Sequence, residues 1–402
     1  MSALSPTDRN LLAATVADSM VVAADPDART SGLYYWELAR PFTSAVVDAA
    51  RALADDALRA LALALLDAPA EPGRYFRFRT ALADAPPSPT VDALLAHGWR
   101  AECNSRVGYL VGRDHALDAA PITADDLRRI APGPRKPPGA SPEVLVVVPF
   151  RDRDTGGKRL RNLLACLAAV ADQSFPRSGY QVTVVESDAA PRWREVVAPY
   201  ADHYLFAEKP TTFNKSWAVN AGIVNTPGPT QVICILDADV LVDRDFIARN
   251  VARFTRPGTG GHLPYRNMTC LTAAATAWAI DARVRGRAAE LDPGRLRGFQ
   301  LRRPPGCCVW VRGEAFHRIG GMDERYEGWG GEDNDFAYRL DVAVPVDHHD
   351  DWLLHMYHPP ASLLRDDGEL VNAHIPPLSW RPDRPIGALD RFVPADGSAS
   401  RA

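Results

Sequence analysis

Three short runs in the middle of the chain are apolar over most of their length: Val144 to Val148, Gln181 to Val185 and Gln231 to Leu236. The first is followed by leucines at helical spacing, Leu160, Leu163, Leu164 and Leu167. Strands of this kind can be buried only if both faces of their sheet are covered, and parallel neighbours need a helical crossover between them. The pattern therefore predicts an α/β fold with a mostly parallel sheet flanked by helices. In such sheets ligands bind beyond the carboxyl ends of the strands. Those ends carry Arg151 and Arg153, then Glu186 and Asp188, then Asp237 and Asp239, which are expected to face one crevice.

The remainder of the chain divides around Ala131 to Pro142, where prolines and glycines interrupt any regular element. With 402 residues, two or three domains are expected at roughly 100–200 residues each. Residues 1–130 read as a mainly helical accessory region, a candidate for acceptor docking or for pairing two chains. One amphipathic helix is expected from Val46 to Leu66 and a short sheet around Cys103 to Gly112. Residues 131–142 are the linker, 143–372 the α/β domain and 373–402 a proline-rich tail. The net charge of −4 gives no general attraction to a polyphosphate, which argues against a nucleic-acid binder, and 46% apolar content argues against disorder. The N-terminus lacks the pattern of a secretory leader, the most apolar window (Ala50 to Ala68) is broken by charges, and the six cysteines form no CxxC pair. A cytoplasmic protein with reduced thiols and no membrane span is expected.

Three constellations carry chemistry. Asp237-Ala238-Asp239 follows a buried strand, and on extended backbone its two carboxylates would project to one side, where they could share a divalent cation. A turn or helix cap would use the same residues. Gly328-Trp329-Gly330-Gly331 gives a hinged loop with a flat apolar ring, and Glu332, Asp333, Asn334 and Asp335 follow at the start of an expected helix. Acids favour helix N-termini without any function, but that does not account for the glycine–tryptophan lead. His355 and His358, at the end of an apolar run, could offer imidazole nitrogens to a metal, whereas His348 and His349 read as solvated members of an acidic turn.

The order of these motifs resembles that of β-1,4-galactosyltransferases: Val148-Pro149-Phe150-Arg151-Asp152-Arg153, Phe213-Asn214-Lys215 with Asn220-Ala221-Gly222, Asp237-Ala238-Asp239, Gly306 to Met322 leading into Trp329-Gly330-Gly331-Glu332-Asp333, and His358. Bacterial chondroitin polymerase domains, among family 2 glycosyltransferases, are similar in the last two stretches. The resemblance covers about residues 143 to 360 and implies a GT-A fold, a Rossmann-like mostly parallel sheet flanked by helices. It also implies site roles. Pro149, Phe150, Arg151, Arg153, Glu186, Phe213, Lys215 and Asp237 would belong to the donor nucleotide pocket, with lysine where the galactosyltransferases have arginine. Asp239, His358 and His355 would hold Mn²⁺ or Mg²⁺, His355 standing where that family uses methionine. Trp329, Gly331 and Glu332 would meet the acceptor, and Asp333 would be the catalytic base. Asn334 replaces a carboxylate of the family, so the family's own acceptor does not carry over.

The expectation is an inverting, metal-dependent glycosyltransferase that uses a UDP-sugar and a small-molecule, glycan or peptide acceptor. The retaining polypeptide N-acetylgalactosaminyltransferases carry asparagine where Asp333 stands, which favours inversion. A nucleotidyltransferase of related fold and a catalytically silent carbohydrate- or partner-binding module are the alternatives.

Overall fold

The computed structural model describes residues 7–115, 117–153, 156–228, 230–359 and 370–392. Residues 360–369 of the expected α/β domain and 393–402 of the expected tail lie outside them. The strands, in chain order, are β1 (Val107–Val111), β2 (Val144–Phe150), β3 (Tyr180–Glu186), β4 (His203–Phe206), β5 (Val232–Leu236), β6 (Val240–Leu241), β7 (Gly261–Leu271), β8 (Arg297–Arg302), β9 (Cys308–Arg312) and β10 (Val346–His355). They form one sheet in the order β1-β8-β7-β9-β5-β2-β3-β4, with β10 paired to β6 and β7. Strands β1 to β5, β7 and β10 run one way and β6, β8 and β9 the other. The three apolar runs are β2, β3 and β5, adjacent and parallel as their composition predicts.

Both faces of β2 are covered. Val144, Val146, Val148 and Phe150 share a cluster with Leu160, Leu163, Leu164 and Leu167 of the helix Lys158–Ala171. Leu145 and Val147 point the other way, into a cluster with Trp217, Ala218 and Ile223 of the helix Lys215–Asn225. Each such side chain contributes about 1.5–3 kcal/mol through burial. That second helix lies close because Gly222 has no side chain: a Cβ there would sit 2.7 Å from both Val147 and Val185.

The N-terminal helices Arg9–Ala24, Leu33–Arg51, Asp56–Asp67, Pro72–Asp84 and Pro89–Ser105 pack on one another, and β1 then adds an edge strand beside β8. The helix expected from Val46 to Leu66 is two helices. The Asp55 carboxylate accepts the Leu58 amide at 2.9 Å and starts the second, and Arg59 donates to the Leu53 carbonyl at the break. Apolar spacing runs through this corner because both helices bury the same face, so periodicity alone does not register the cap. His348 and His349 lie in β10 rather than in a turn. Residues 373–392 fold back on the sheet: Ile375 and Trp380 are buried, the Trp380 indole donates to Gly320, and the Trp217 indole donates to Ala388. No described helix is long and apolar enough to cross a membrane.

A buried ion pair joins the N-terminal helices to the sheet. Arg297 on β8 bonds to Asp25, and its other nitrogen reaches Asp27 at 2.9 Å. Asp25 also accepts the Tyr109 hydroxyl at 2.8 Å. Burial lowers the Arg297 pKa to about 10, yet the guanidinium stays charged at neutral pH. Truncating one partner of such a pair strands the other, so Arg297→Ala should cost about 3–5 kcal/mol in urea denaturation. A loss below about 1 kcal/mol would show that Asp25 does not depend on this partner.

Candidate active site

The carboxyl ends of β2, β3 and β5 lie along one edge, and two helices begin there, Lys215–Asn225 and Glu332–Ala343. Asn214 caps the first, accepting the Trp217 amide at 2.8 Å, and its own amide donates to Glu324 at 2.7 Å. Lys215 is therefore the first helical residue, where the macrodipole disfavours a cation. Carboxylates offset this. Its ammonium lies 2.9 Å from Asp237 Oδ1, 3.0 Å from both oxygens of Asp333 and 4.0 Å from Glu332. Burial works against the Lys215 charge, but Asp237, Asp333 and Glu332 together raise its pKa well above the ordinary value. Glu332 is pushed up to about 7 by burial and by the neighbouring Asp333 charge, against the pull of Lys215.

The loop before the second helix needs its glycines. Gly328, Gly330 and Gly331 have φ of 73°, 101° and 97°, a region that L side chains rarely adopt, and a Cβ on Gly331 would lie 2.7 Å from the Tyr326 ring. Trp329 at the tip remains 38% exposed. Asp333 is set by a further glycine, Gly306, whose missing Cβ would stand 2.5 Å from Asp333 Oδ2. The next residue, Cys307, takes φ of 67° despite its side chain and turns its carbonyl to the Asp237 amide at 2.8 Å.

Asp237-Ala238-Asp239 is a turn between β5 and β6, closed by a bond from the Val240 amide to the Asp237 carbonyl. The expectation that the two carboxylates project to one side of an extended strand is thus corrected: the turn separates their partners. Asp237 meets Lys215, whereas Asp239 lies 2.9 Å from His358 Nε2 and 3.5 Å from His355 Nε2. Asp239, His355 and His358 each present a ligand atom within 4.8 Å of the others. Burial disfavours charge on Asp239, but the two imidazoles hold its carboxyl well below the usual range. Its Oδ1 is buried without a hydrogen-bond donor, and His358 Nδ1 lies 2.8 Å from the Pro359 carbonyl, an arrangement that leaves Nε2 to a ligand. One carboxylate and two imidazoles suit a first-row divalent cation.

The remaining expected residues sort into two groups. Arg151 and Arg153 stand beyond β2 against Asp188, two residues past the end of β3; Arg151 is 3.7 Å away and Arg153 bonds to it directly. Arg151 Nη1 and Arg153 Nε are buried without an acceptor. Pro149 and Phe150 are core residues of β2, and Phe213 is half-buried, its carbonyl accepting the Gly328 amide at 2.8 Å. Glu186 is fully buried, and its carboxylate takes the Arg192 and Trp193 amides and the Tyr204 hydroxyl. Asn220 binds the Met322 backbone and Glu324, Asp335 binds Arg339, and Asn334 is exposed.

Residues 145–320 match a family profile described as glycosyl transferase family 2, and residues 299–343 match one described as the N-terminal domain of galactosyltransferase. The mixed, mostly parallel sheet flanked by helices thus contains a stretch similar to glycosyl transferase family 2. The chain is 26% identical over 239 residues to a validoxylamine A glucosyltransferase of Streptomyces hygroscopicus subsp. limoneus, covering 52% of this chain and 51% of the relative. The chain thus spans about half the length of that relative. Among solved structures, it is similar to a mannosyltransferase of Pyrobaculum calidifontis in complex with GDP-Man and Mn²⁺ (TM-score 0.36, 18% identity, 58% of this chain and 62% of that one). The catalytic domain of Drosophila β-1,4-galactosyltransferase 7 in complex with xylobiose is also similar (TM-score 0.31, 20% identity, 52% and 64%).

Several residues that hold the candidate site escape a motif reading. Arg161 and Asn162, buried on the helix Lys158–Ala171, donate to the Tyr357 carbonyl at 2.7 and 3.3 Å and so fix the segment between the two histidines. Their signal is a polar pair inside an apolar helix face. Asn372 donates to the Glu327 and Gly330 carbonyls at 2.9 and 2.8 Å and pins the tryptophan loop from a segment that carries no motif.

Gly306→Ala should push the Asp333 carboxylate aside, lowering turnover at least about ten-fold with little change in melting temperature; unchanged turnover would show that the carboxylate can sit elsewhere. The raised Glu332 pKa gives a stability test. Its folded value lies above the ordinary 4.5, so its contribution is complete below that pH and is lost as pH rises through about 7. Glu332→Gln should therefore gain in melting temperature relative to the parent between pH 5 and pH 8, and a pH-independent difference would contradict the assignment.

Proposed function

We propose that the protein is an inverting glycosyltransferase that moves a hexose from a UDP-sugar to a hydroxyl of a small-molecule, glycan or peptide acceptor, with Mn²⁺ or Mg²⁺ held by Asp239, His355 and His358. The observation that carries this reading is the turn Asp237-Ala238-Asp239, which has Lys215 and Asp333 on one carboxylate's side and the two imidazoles on the other's. A donor diphosphate can thus meet the cation site while the sugar faces the candidate base. The unpartnered nitrogens of Arg151 and Arg153 suit the polar nucleotide end.

When the anomeric C–O bond breaks, negative charge grows on the leaving diphosphate. The bound divalent cation would supply Lewis-acid neutralisation of that charge. Lys215 adds a positive charge on the same side. Its ammonium also holds Asp333, so a diphosphate that draws Lys215 away leaves the Asp333 carboxylate able to accept a proton. Asp333 then takes the acceptor hydroxyl proton as the oxygen attacks opposite the leaving group, and a single displacement inverts the anomeric centre.

UDP release should be followed across a panel of UDP-sugars with Mn²⁺ or Mg²⁺, beginning with UDP-glucose because the curated relative is named a glucosyltransferase. Chelation should abolish release. Asp333→Asn should cut turnover by about two to four orders of magnitude while UDP affinity stays within about three-fold. Activity that survives chelation would remove the cation site, near-normal turnover in Asp333→Asn would remove the base, and pyrophosphate as product would favour nucleotidyl transfer.

A further inference from the structure

The tryptophan of the glycine-rich loop does not stand alone. Tyr34 and Tyr35, at the start of the helix Leu33–Arg51, lie with ring centroids 6.4 and 6.3 Å from Trp329, at interplanar angles of 70° and 76°. The two tyrosines are themselves edge-to-face at 5.3 Å. Both are half-buried, and Leu38, one helical turn beyond Tyr34, is 53% exposed, so the apolar strip continues outward from the loop. Tyr35 reaches inward: burial raises its hydroxyl pKa, and Cys307, Cys270, Tyr34 and Asp333 are near enough to raise it further.

This placement is built in. Gly32, which precedes the helix, lies so close to β8 that a Cβ would meet the Phe299 ring at 2.8 Å. Trp36 donates its indole N–H to the Val22 carbonyl at 2.7 Å. The first turn of the helix is therefore clamped to the sheet on one side and to the helix Arg9–Ala24 on the other, and the tyrosines it carries are fixed relative to Asp333. Gly32, Tyr34, Tyr35 and Trp36 all lie outside the matched stretches 145–320 and 299–343.

We infer that Tyr34 and Tyr35 complete an aromatic subsite with Trp329 that receives the acceptor and selects a polyhydroxylated six-membered ring. The inference rests on the transferase reading above. Aromatic rings accept the C–H face of such a ring, while Glu332 and Asp333 at the loop's end accept its hydroxyl protons. A flexible peptide or a polyanion would gain little here, because Asp333 and Glu332 adjoin the rings and the one ammonium among them is held by carboxylates.

Saturation-transfer NMR on the full chain with UDP and Mg²⁺ tests this, using methyl β-D-glucopyranoside, methyl β-D-galactopyranoside and myo-inositol as ring probes. Ring C–H signals are expected from at least one probe. They should fall about five-fold in Tyr34→Ala and Tyr35→Ala, the order of one lost aromatic contact, and return in Tyr35→Phe, with UDP signals unchanged throughout. Full ring signals in both alanine variants, or no ring signal from a parent chain that binds UDP, would overturn the inference. Loss of UDP signals in the parent chain would instead overturn the nucleotide site beneath it.

Discussion

The site is organised around one largely buried ammonium. Lys215 opens a helix, where the backbone already carries partial positive charge, and it sits away from bulk water. Either condition alone disfavours a cation, so carboxylates must surround it. Asp237 arrives from the end of β5, and Asp333 and Glu332 from the first turn of another helix, where their own charges are favoured by its dipole. The lysine thus locks the sheet edge, the turn and the tryptophan loop in register. The same arrangement leaves one cation facing three carboxyl groups, and Glu332 relieves the surplus by holding its proton more tightly than usual. A cluster of this kind is poised: an anion that competes for Lys215 alters the electrostatics of Asp333 at once.

What surrounds the cluster works by removing freedom. Gly306 leaves room for the Asp333 carboxylate and no more, while Gly330 and Gly331 allow a backbone path closed to other residues. Arg161 and Asn162 hold the carbonyls between His355 and His358, so the imidazoles are aimed by a helix on the opposite side of the strand end. Asn372 ties the loop from the other flank. These are backbone bonds made by buried polar side chains, each of which would be costly if left unpaired. Site geometry and core stability therefore depend on the same bonds.

The parts legible in the sequence are those set by short-range pattern. Valine-rich runs announce β2, β3 and β5 because a strand buried on both faces has no other composition available. Gly328 to Asp333 is readable because glycines around a tryptophan, followed by acids, are hard to explain by packing alone. Where the reading falls short, a specific bond rather than a periodicity decides. Asp55 breaks a helix whose apolar spacing runs on, Asp237 and Asp239 diverge because the chain turns toward β10, and Glu186 is taken up by the Arg192–Trp193 backbone and by Tyr204. Asn372 acts through Glu327 and Gly330, more than forty positions away, and Tyr35 through Trp329, nearly three hundred away, and spacing carries no trace of that.

The sheet's edge explains how the N-terminal helices come to share the site. Without β1, β8 would present an unpaired row of backbone groups with Phe299 and Leu301 beside it, an invitation to aggregation. β1 closes that edge, and the Asp25–Arg297 pair fastens the helix ends to it. Because the helices are attached through a strand as well as through surface contact, the start of the helix Leu33–Arg51 keeps a fixed position beside the tryptophan loop. A loosely tethered module could not hold two tyrosines at edge-to-face distance from Trp329. The device that protects the sheet is thus also the one that brings a second set of aromatic side chains to the edge where Asp333 stands, and on the proposed reading changes in the N-terminal helices alter acceptor choice without touching the proposed donor pocket.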